Sequence, residues 1–429
     1  MERFDRKQAL EKWTSMAGKL SVATIGDSSV RESTAILLEN QERLDIRDLN
    51  EDATTTINYG SNAGDGARFS PIALALVRRI FPDLFAHKVV GVQALNSPVG
   101  LAYALRYAYD VAGIPPGSTY YGGNDIYEAG FRALNEYSGY TGSAAGSALS
   151  LATSSIYDLT NSATAGKFGT GAATSAAEQW QVASTMPNMK LFLDKVAITA
   201  TTRKLGASFS LESAQDLKAM QGVEIEREML NILNYEVAAE LDRELLGRML
   251  QASLNTANGG TAATQFNISA SDGRWSQEKF SNLVNVIVAK ANEIATSTFR
   301  GAGNFVIVSP RVATALQAAG PQFTVNTSEV NPTQTVAEVG KINGTITVYR
   351  DAFAPSDYAL VGYKGPTTSD TGLIYSPFIT GLFNRAVRPN DFGVNIGVMS
   401  RYAITDSLLG SGRYYRAISV NNLASVIGA

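Results

Sequence analysis

The chain has a single histidine, His87, and no cysteine, so the side chains that do most nucleophilic and metal chemistry are nearly missing. Thiolate catalysis and Cys-based zinc sites are excluded, as are metal sites built from two or three imidazoles of one chain. A Ser/His/Asp arrangement needs only one histidine. His87, however, sits in Phe85-Ala86-His87-Lys88-Val89, at an expected strand start with no nucleophile motif beside it, and reads as structural. Carboxylates are more plentiful: Glu224, Glu226, Glu228, Glu236, Glu240, Asp242 and Glu244 crowd one helical segment. Glu236, Glu240 and Glu244 share a face, as a carboxylate metal site would need, but helical di-metal sites also draw on Glu-x-x-His pairs. Arg243 and Arg248 follow at ion-pairing distances along the helix, so the expectation is a solvated or intersubunit charged face. Gly301-Ala302-Gly303 precedes an expected strand. A phosphate loop needs strand, glycines and then a helix N-terminus, so this tripeptide reads as a helix stop. Gly64-Asp65-Gly66 reads as linker. No catalytic residue, metal ligand or cofactor site is expected.

The elements that would position such residues belong to a chain of 429 residues, 45% hydrophobic and 17% charged. That is enough for roughly two to three domains with real cores. A net charge of −3, with five basic and three acidic side chains in the first nineteen residues, offers no basic face for gripping nucleic acid. No apolar run approaches the ~20 residues that cross a bilayer, and the N-terminus lacks the apolar core of a signal peptide. The expectation is an intracellular protein without a membrane partner.

Residues 1–68 read as an arm. Phe4, Leu10, Trp13, Met16 and Leu20 fall roughly on one helical face, followed by short helical pieces and a polar Gly/Asn/Thr-rich stretch over 52–66. Ser70-Pro71 is a helix opening, and residues 88–95 and 103–109 are strand-like. Residues 111–189 are rich in Gly, Ser, Ala and Thr but carry many tyrosines, among them Tyr120, Tyr121, Tyr127, Tyr137, Tyr140 and Tyr157. A loop this long is rare unless functional; an excursion that finds its partners on neighbouring molecules explains both its length and its aromatics. Residues 196–211 read as a returning strand. The strongest helix spans 212–250, where Ile225, Met229, Leu233, Val237, Leu241, Leu245 and Met249 recur every fourth residue; only Gly222 threatens its continuity. A second amphipathic helix over 276–297, a strand over 304–309, a Pro310 helix to about 318, a polar loop over 323–339 and strands over 342–350, 358–363, 372–375 and 393–403 complete an α+β pattern.

Several blocks resemble, in order, the major capsid proteins of T-even-type contractile-tailed phages, which have the Hong Kong 97-type shell fold. They are Val77-Arg78-Arg79-Ile80-Phe81-Pro82, Gly91-Val92-Gln93-Ala94-Leu95-Asn96-Ser97-Pro98-Val99-Gly100, Ala104-Leu105-Arg106, Ala214-Gln215-Asp216-Leu217, Arg300-Gly301-Ala302-Gly303-Asn304-Phe305, Val361-Gly362-Tyr363-Lys364-Gly365-Pro366 and Arg401-Tyr402. In the arm, Glu39-Asn40-Gln41-Glu42 resembles a block of the family's propeptide. Leu49-Asn50-Glu51 fits the family's Leu-x-Glu maturation site, placing a cleavage after Glu51; Leu37-Leu38-Glu39 also fits.

The resemblance implies an N-terminal arm over 1–68 with a propeptide to about 51, and a helix and first peripheral strands over 69–110. It further implies an extended loop over 111–195, a peripheral domain with a spine helix over 196–275, an axial domain over 276–385, and a return to the peripheral domain over 386–429. The loop is shorter than the family's usual insertion, which argues against a separate insertion domain. The implied function is a shell of homo-hexamers and pentamers, assembled in a host's cytoplasm. It would enclose double-stranded DNA without sequence-specific binding, with a scaffold, a portal, a maturation protease and vertex or decoration proteins as partners. Two alternatives remain open: an encapsulin-type compartment shell, distinguished by protein contents in place of DNA, and a soluble enzyme with a carboxylate site.

Overall fold

The computed structural model describes residues 6–15, 22–23, 25–52, 85–109, 174–178, 189–268, 273–298, 300–325, 336–367, 370–387, 393–408 and 410–423. The expected helix after Ser70-Pro71, the Gly64-Asp65-Gly66 linker and nearly all of the long loop lie outside them.

The N-terminal region forms two helices, α1 (Arg6–Ser15) and α2 (Ser28–Asp52). Trp13 is fully buried and Leu10 packs against the core, as the helical face predicts. The short helical pieces expected after it are instead one helix of 25 residues. Asp27 starts it by accepting the Ser29 N–H at 3.0 Å, and a buried run from Ser33 to Leu38 gives it a face to dock. The strand expected over 88–95 is also corrected. Ala86–Val89 is a helical turn carrying His87, the chain becomes extended at Val90 and forms β1 (Gly91–Val92), and the Gln93 and Leu95 N–H groups carry on the bonding to the neighbouring strand, at 3.0 Å and 2.9 Å.

The strand candidate at 103–109 begins earlier, as β2 (Val99–Tyr109), and pairs antiparallel with β3 (Met189–Thr199) over its whole length, from Val99 opposite Thr199 to Tyr109 opposite Met189. After Ala200 the chain continues as β4 (Thr201–Phe209). The helix expected over 212–250 is two helices. The first, α3 (Leu211–Gln221), is capped by the Ser210 hydroxyl accepting from the Ser213 N–H at 3.2 Å, and stopped by Gly222 at φ 68°. The second, α4 (Ile225–Leu254), has 30 residues, about 45 Å at 1.5 Å per residue. Left-handed backbone is open to glycine but strained for other residues. Gly222→Ala, whose Cβ would meet nothing within 4 Å, is therefore expected to destabilise the subunit by about 1–2 kcal/mol through backbone strain alone, read from the denaturant midpoint.

Next come β5 (Thr264–Asn267), α5 (Ser276–Thr298), β6 (Phe305–Val308) and α6 (Pro310–Ala318). Phe280, Leu283, Val284, Ile287, Ala291 and Ile294 form the buried stripe of α5. Ser309 and Pro310 start α6 as their types predict. The polar loop expected over 323–339 contains all of one strand, β7 (Phe323–Val325), and the start of another, β8 (Val336–Ile342). The strand expected over 342–350 is the second arm of a hairpin. It turns at Asn343 (φ 49°) and Gly344 (φ 71°) into β9 (Ile346–Asp351), since two successive positive φ angles make the tight turn that matches strand twist.

The chain ends in β10 (Tyr358–Gly362), β11 (Leu373–Val387), β12 (Val394–Asp406) and β13 (Tyr415–Asn421). Two larger sheets result, a four-stranded one ordered β1-β11-β12-β4 and a seven-stranded one ordered β5-β13-β10-β6-β9-β8-β7. Both are mixed, since β1–β11, β5–β13 and β6–β9 run parallel. With helices packed against these sheets the class is α+β. The handover expected between 385 and 386 is displaced: β11 already belongs with β4 and β12, and β13 goes back to the seven-stranded sheet. Helix α4 touches β12 and β4 of the smaller sheet and β13 of the larger. Its seam is buried at Leu233, Leu241, Leu245 and Met249 and only partly so at Ile225, Met229 and Val237.

Candidate assembly surfaces

Among the described residues, the β2–β3 ribbon exposes several large apolar side chains. Alternate residues of a strand face opposite ways, and the outward set here is mostly apolar, with Lys195 and Thr199 as its polar members. Val99, Leu101 and Tyr103 of β2 and Leu191 and Leu193 of β3 are between 49% and 61% exposed. At the root, the opposite face is anchored, with Ile198 buried together with Leu95, Phe378, Ile379 and Ala403. A ribbon rooted at one end, with five large apolar side chains exposed on one face, is the kind of patch that marks a protein–protein contact. Met220 of α3 and Ile232 and Tyr235 of α4 are also exposed.

The carboxylate face of α4 resolves into a clamp inside one chain. The guanidinium of Arg203, on β4, donates to Glu240 and Glu244, each at 2.6 Å. It also donates to the Tyr402 hydroxyl, and that hydroxyl in turn donates to Glu244. The cation is thus Arg203, not the expected Arg243 and Arg248. Arg243 lies over the Phe353 ring at 4.8 Å, while Arg248 contributes only its charge near Glu244 and Asp406. Partners 37 and 41 residues apart leave no helical-spacing signal. Among the described residues no cluster of His, Asp and Glu could hold a metal ion.

Burial works to raise the Glu244 pKa, but the Tyr402 and Arg203 hydrogen bonds and the Arg203 and Arg248 charges outweigh it and hold the carboxyl below its usual range. Burial and the bond to Glu244 push the Tyr402 phenol up to about 12. A depressed carboxyl stabilises the fold fully above its unfolded pKa of about 4.5 and loses that contribution as pH falls through the folded value. A raised phenol holds its contribution below about 10 and loses it towards 12. Glu244→Gln is therefore expected to lower stability at pH 7 while reducing its dependence on pH below 4.5, measured by urea titrations from pH 3 to 8.

The other singled-out residues fall elsewhere. His87 is half-buried and lines a cavity of about 190 Å³ with Asp27, Ser28, Ser29 and Lys364. Its backbone carbonyl accepts from the Lys364 ammonium, and Asp27 is engaged by the Ser29 N–H and hydroxyl. Gly301 and Gly303 are required by packing, because a Cβ would come within 2.6 Å of the Tyr363 ring or 2.9 Å of the Val361 side chain. Glu51 lies in the last turn of α2. Two polar centres escaped sequence reasoning. Asp370 receives Arg300 at 2.8 Å and the Tyr414 hydroxyl at 3.2 Å. Buried Arg416 joins Glu293 at 2.9 Å to the Gly412 carbonyl at 2.7 Å.

An α+β body whose β2–β3 ribbon exposes apolar side chains has a surface of the kind that contacts other proteins. The family described as Major capsid protein Gp23 matches residues 66–423, and the chain belongs to that family. Relatives include the major capsid protein of Enterobacteria phage T6, 30% identical over 404 residues and covering 82% of this chain and 80% of the relative. That of Enterobacteria phage T4 is 29% identical, covering 82% and 77%. A solved chain from the asymmetric unit of the bacteriophage PhiM1 mature capsid is similar over 86% of this chain and 92% of its own length, at 11% identity and a TM-score of 0.44. The family is one of phage heads, so the encapsulin-type compartment is not favoured.

Proposed function

We propose that this major capsid protein tiles an icosahedral phage head of the Hong Kong 97-type as homo-hexamers and pentamers around double-stranded DNA. The observation that carries the reading is the apolar face of the β2–β3 ribbon, which has no partner within the chain's described residues and matches what a neighbouring copy would cover. Many such modest contacts add up to a stable container. DNA is enclosed without sequence-specific binding, consistent with a net charge of −3. A scaffold, a portal, a maturation protease and vertex or decoration proteins are the partners such a head needs, and assembly takes place in the host cytoplasm. The subunit acts mechanically, without catalytic or cofactor-binding residues. Expressed alone or with its scaffold, the protein is expected to form capsomers, sheets, tubes or shells in negative-stain images. A sharp monomer in sedimentation at high concentration, under both conditions, would overturn this.

The proposal includes cleavage after Glu51. Of the two Leu-x-Glu sites, Leu37-Leu38-Glu39 is buried, with Leu37 and Leu38 at 1% and 0% exposure. Glu51, one residue from the end of α2, is where the helix can fray. Intact mass of subunits from DNA-filled particles is expected to start at Asp52; a species still starting at Met1 rules the cut out.

A further inference from the structure

The N-terminal helices are seated in the body like a ligand. Trp13 of α1 is fully buried, and its indole N–H donates to Glu39 of α2 at 3.3 Å. The Lys12 ammonium donates to the same carboxylate at 3.1 Å and to Glu42. These bonds make α1 and α2 one hairpin. The hairpin then joins the main apolar core through Trp13, Ala35, Ile36, Leu37 and Leu38, alongside Phe85, Val89 and Val90. One contact has directional chemistry: the Asn40 side-chain amide, 5% exposed as a residue, donates to the Leu95 carbonyl at 2.8 Å and to the Phe378 carbonyl at 3.2 Å. A primary amide has two N–H groups. Here both go to backbone carbonyls on the body, one beyond β1 and one on β11.

We infer that the body has a binding seat for its own N-terminal hairpin, with Asn40 as the residue that fixes its register. Severing the chain after α2 then cuts the segment without freeing it. The hairpin's attachment does not run through the backbone that is cut. Buried apolar side chains and two carbonyl acceptors hold it, and these are untouched by hydrolysis of a peptide bond beyond residue 51. Release needs a second event that moves β11 or the turn at Leu95, so the seat reports the conformation of the body. The inference concerns how the hairpin is held and stands whether or not Glu51 is the natural cut.

The test uses the full chain with a recognition site for a sequence-specific protease inserted between Gly60 and Gly66. After native digestion, the N-terminal fragment is expected to co-elute with the body in size exclusion and to leave it only in the denaturant transition that unfolds the body. Asn40→Ala, made in the same chain, is expected to weaken retention roughly tenfold or more, so that the fragment separates on dilution. The uncut Asn40→Ala chain serves as the folding control by circular dichroism. If that variant does not fold, Lys12→Ala, which loosens the hairpin at a half-exposed site, is read in its place. Separate elution of the wild-type fragment from a folded body overturns the inference, as does precipitation of the body on cutting. Retention of the fragment undiminished in a folded Asn40→Ala chain overturns the assignment of Asn40.

Discussion

Replacing residues 113–187 with a short Gly/Ser bridge is expected to leave a folded subunit that no longer builds shells. The segment is poor in Leu, Ile and Val, so it offers little apolar area to a core. Its tyrosines suit contacts between molecules, where a large face is gained at small entropic cost. The structure makes the excision clean: Tyr109 and Met189 are register partners at the far end of the ribbon, so a turn can close where the loop departs. Circular dichroism should retain the helical signal of α3 and α4, and urea unfolding should stay cooperative. Electron microscopy should show no closed particles. An unfolded or precipitated product would make the loop part of the core, and normal shells would make it dispensable.

The largest expected loss of subunit stability is at Leu245. It is fully buried in α4, the helix that touches both larger sheets, and surrounding layers on several sides leave little room for collapse around a cavity. Leu245→Ala is expected to cost about 2–5 kcal/mol, and alanine's high helix propensity means the helix itself is not the cause. Ile232→Ala in the same helix is the control. Ile232 is 60% exposed, so truncation should change subunit stability by no more than about 0.5 kcal/mol. Equal losses at the two positions in chemical denaturation would contradict the burial described for α4.

The seam of α4 was legible because apolar residues every fourth position keep one face towards the core, and the Ser309-Pro310 start of α6 because its residue types act locally. Asn343-Gly344 was also a local signal, the dipeptide of a tight hairpin turn, yet it falls inside the strand expected over 342–350. Polar residues hid α2: Asn40 and Gln41 are buried in it, and Glu39 and Glu42 turn to Lys12 of α1, so polar positions interrupt the apolar periodicity that contact with the body creates. The 88–95 segment reads as strand by residue type, and its second half does run beside β11, as Gly91–Val92 and then through the Gln93 and Leu95 N–H groups, while its first half turns as helix. The strand β13 was missed although Tyr415 to Val420 suits a strand, since its partners β5 and β10 lie far away in sequence. The same distance hid the clamp of Arg203, Glu244 and Tyr402. Family blocks named Arg401-Tyr402 and Glu39-Asn40-Gln41-Glu42 without saying what they hold, which only the contacts across the fold disclose.

The place of β13 between β5 and β10 sets the order of events on the ribosome. Residues Thr264–Asn267 pair with Ile418–Asn421, each 154 positions further on, so β5 has no sheet neighbour until about 150 more residues have been made. At about 5–20 residues per second that interval is roughly 8–30 s. Strand β10 meanwhile shows an open edge where β13 will lie, next to the wholly apolar β6. Gly91 and Val92 wait longer still for Ile374 and Tyr375. Long-range parallel pairing of this kind slows folding and leaves unpaired edges able to join other chains. For a protein made in many copies at once, the time during which nascent chains can aggregate is set by when the final strand emerges.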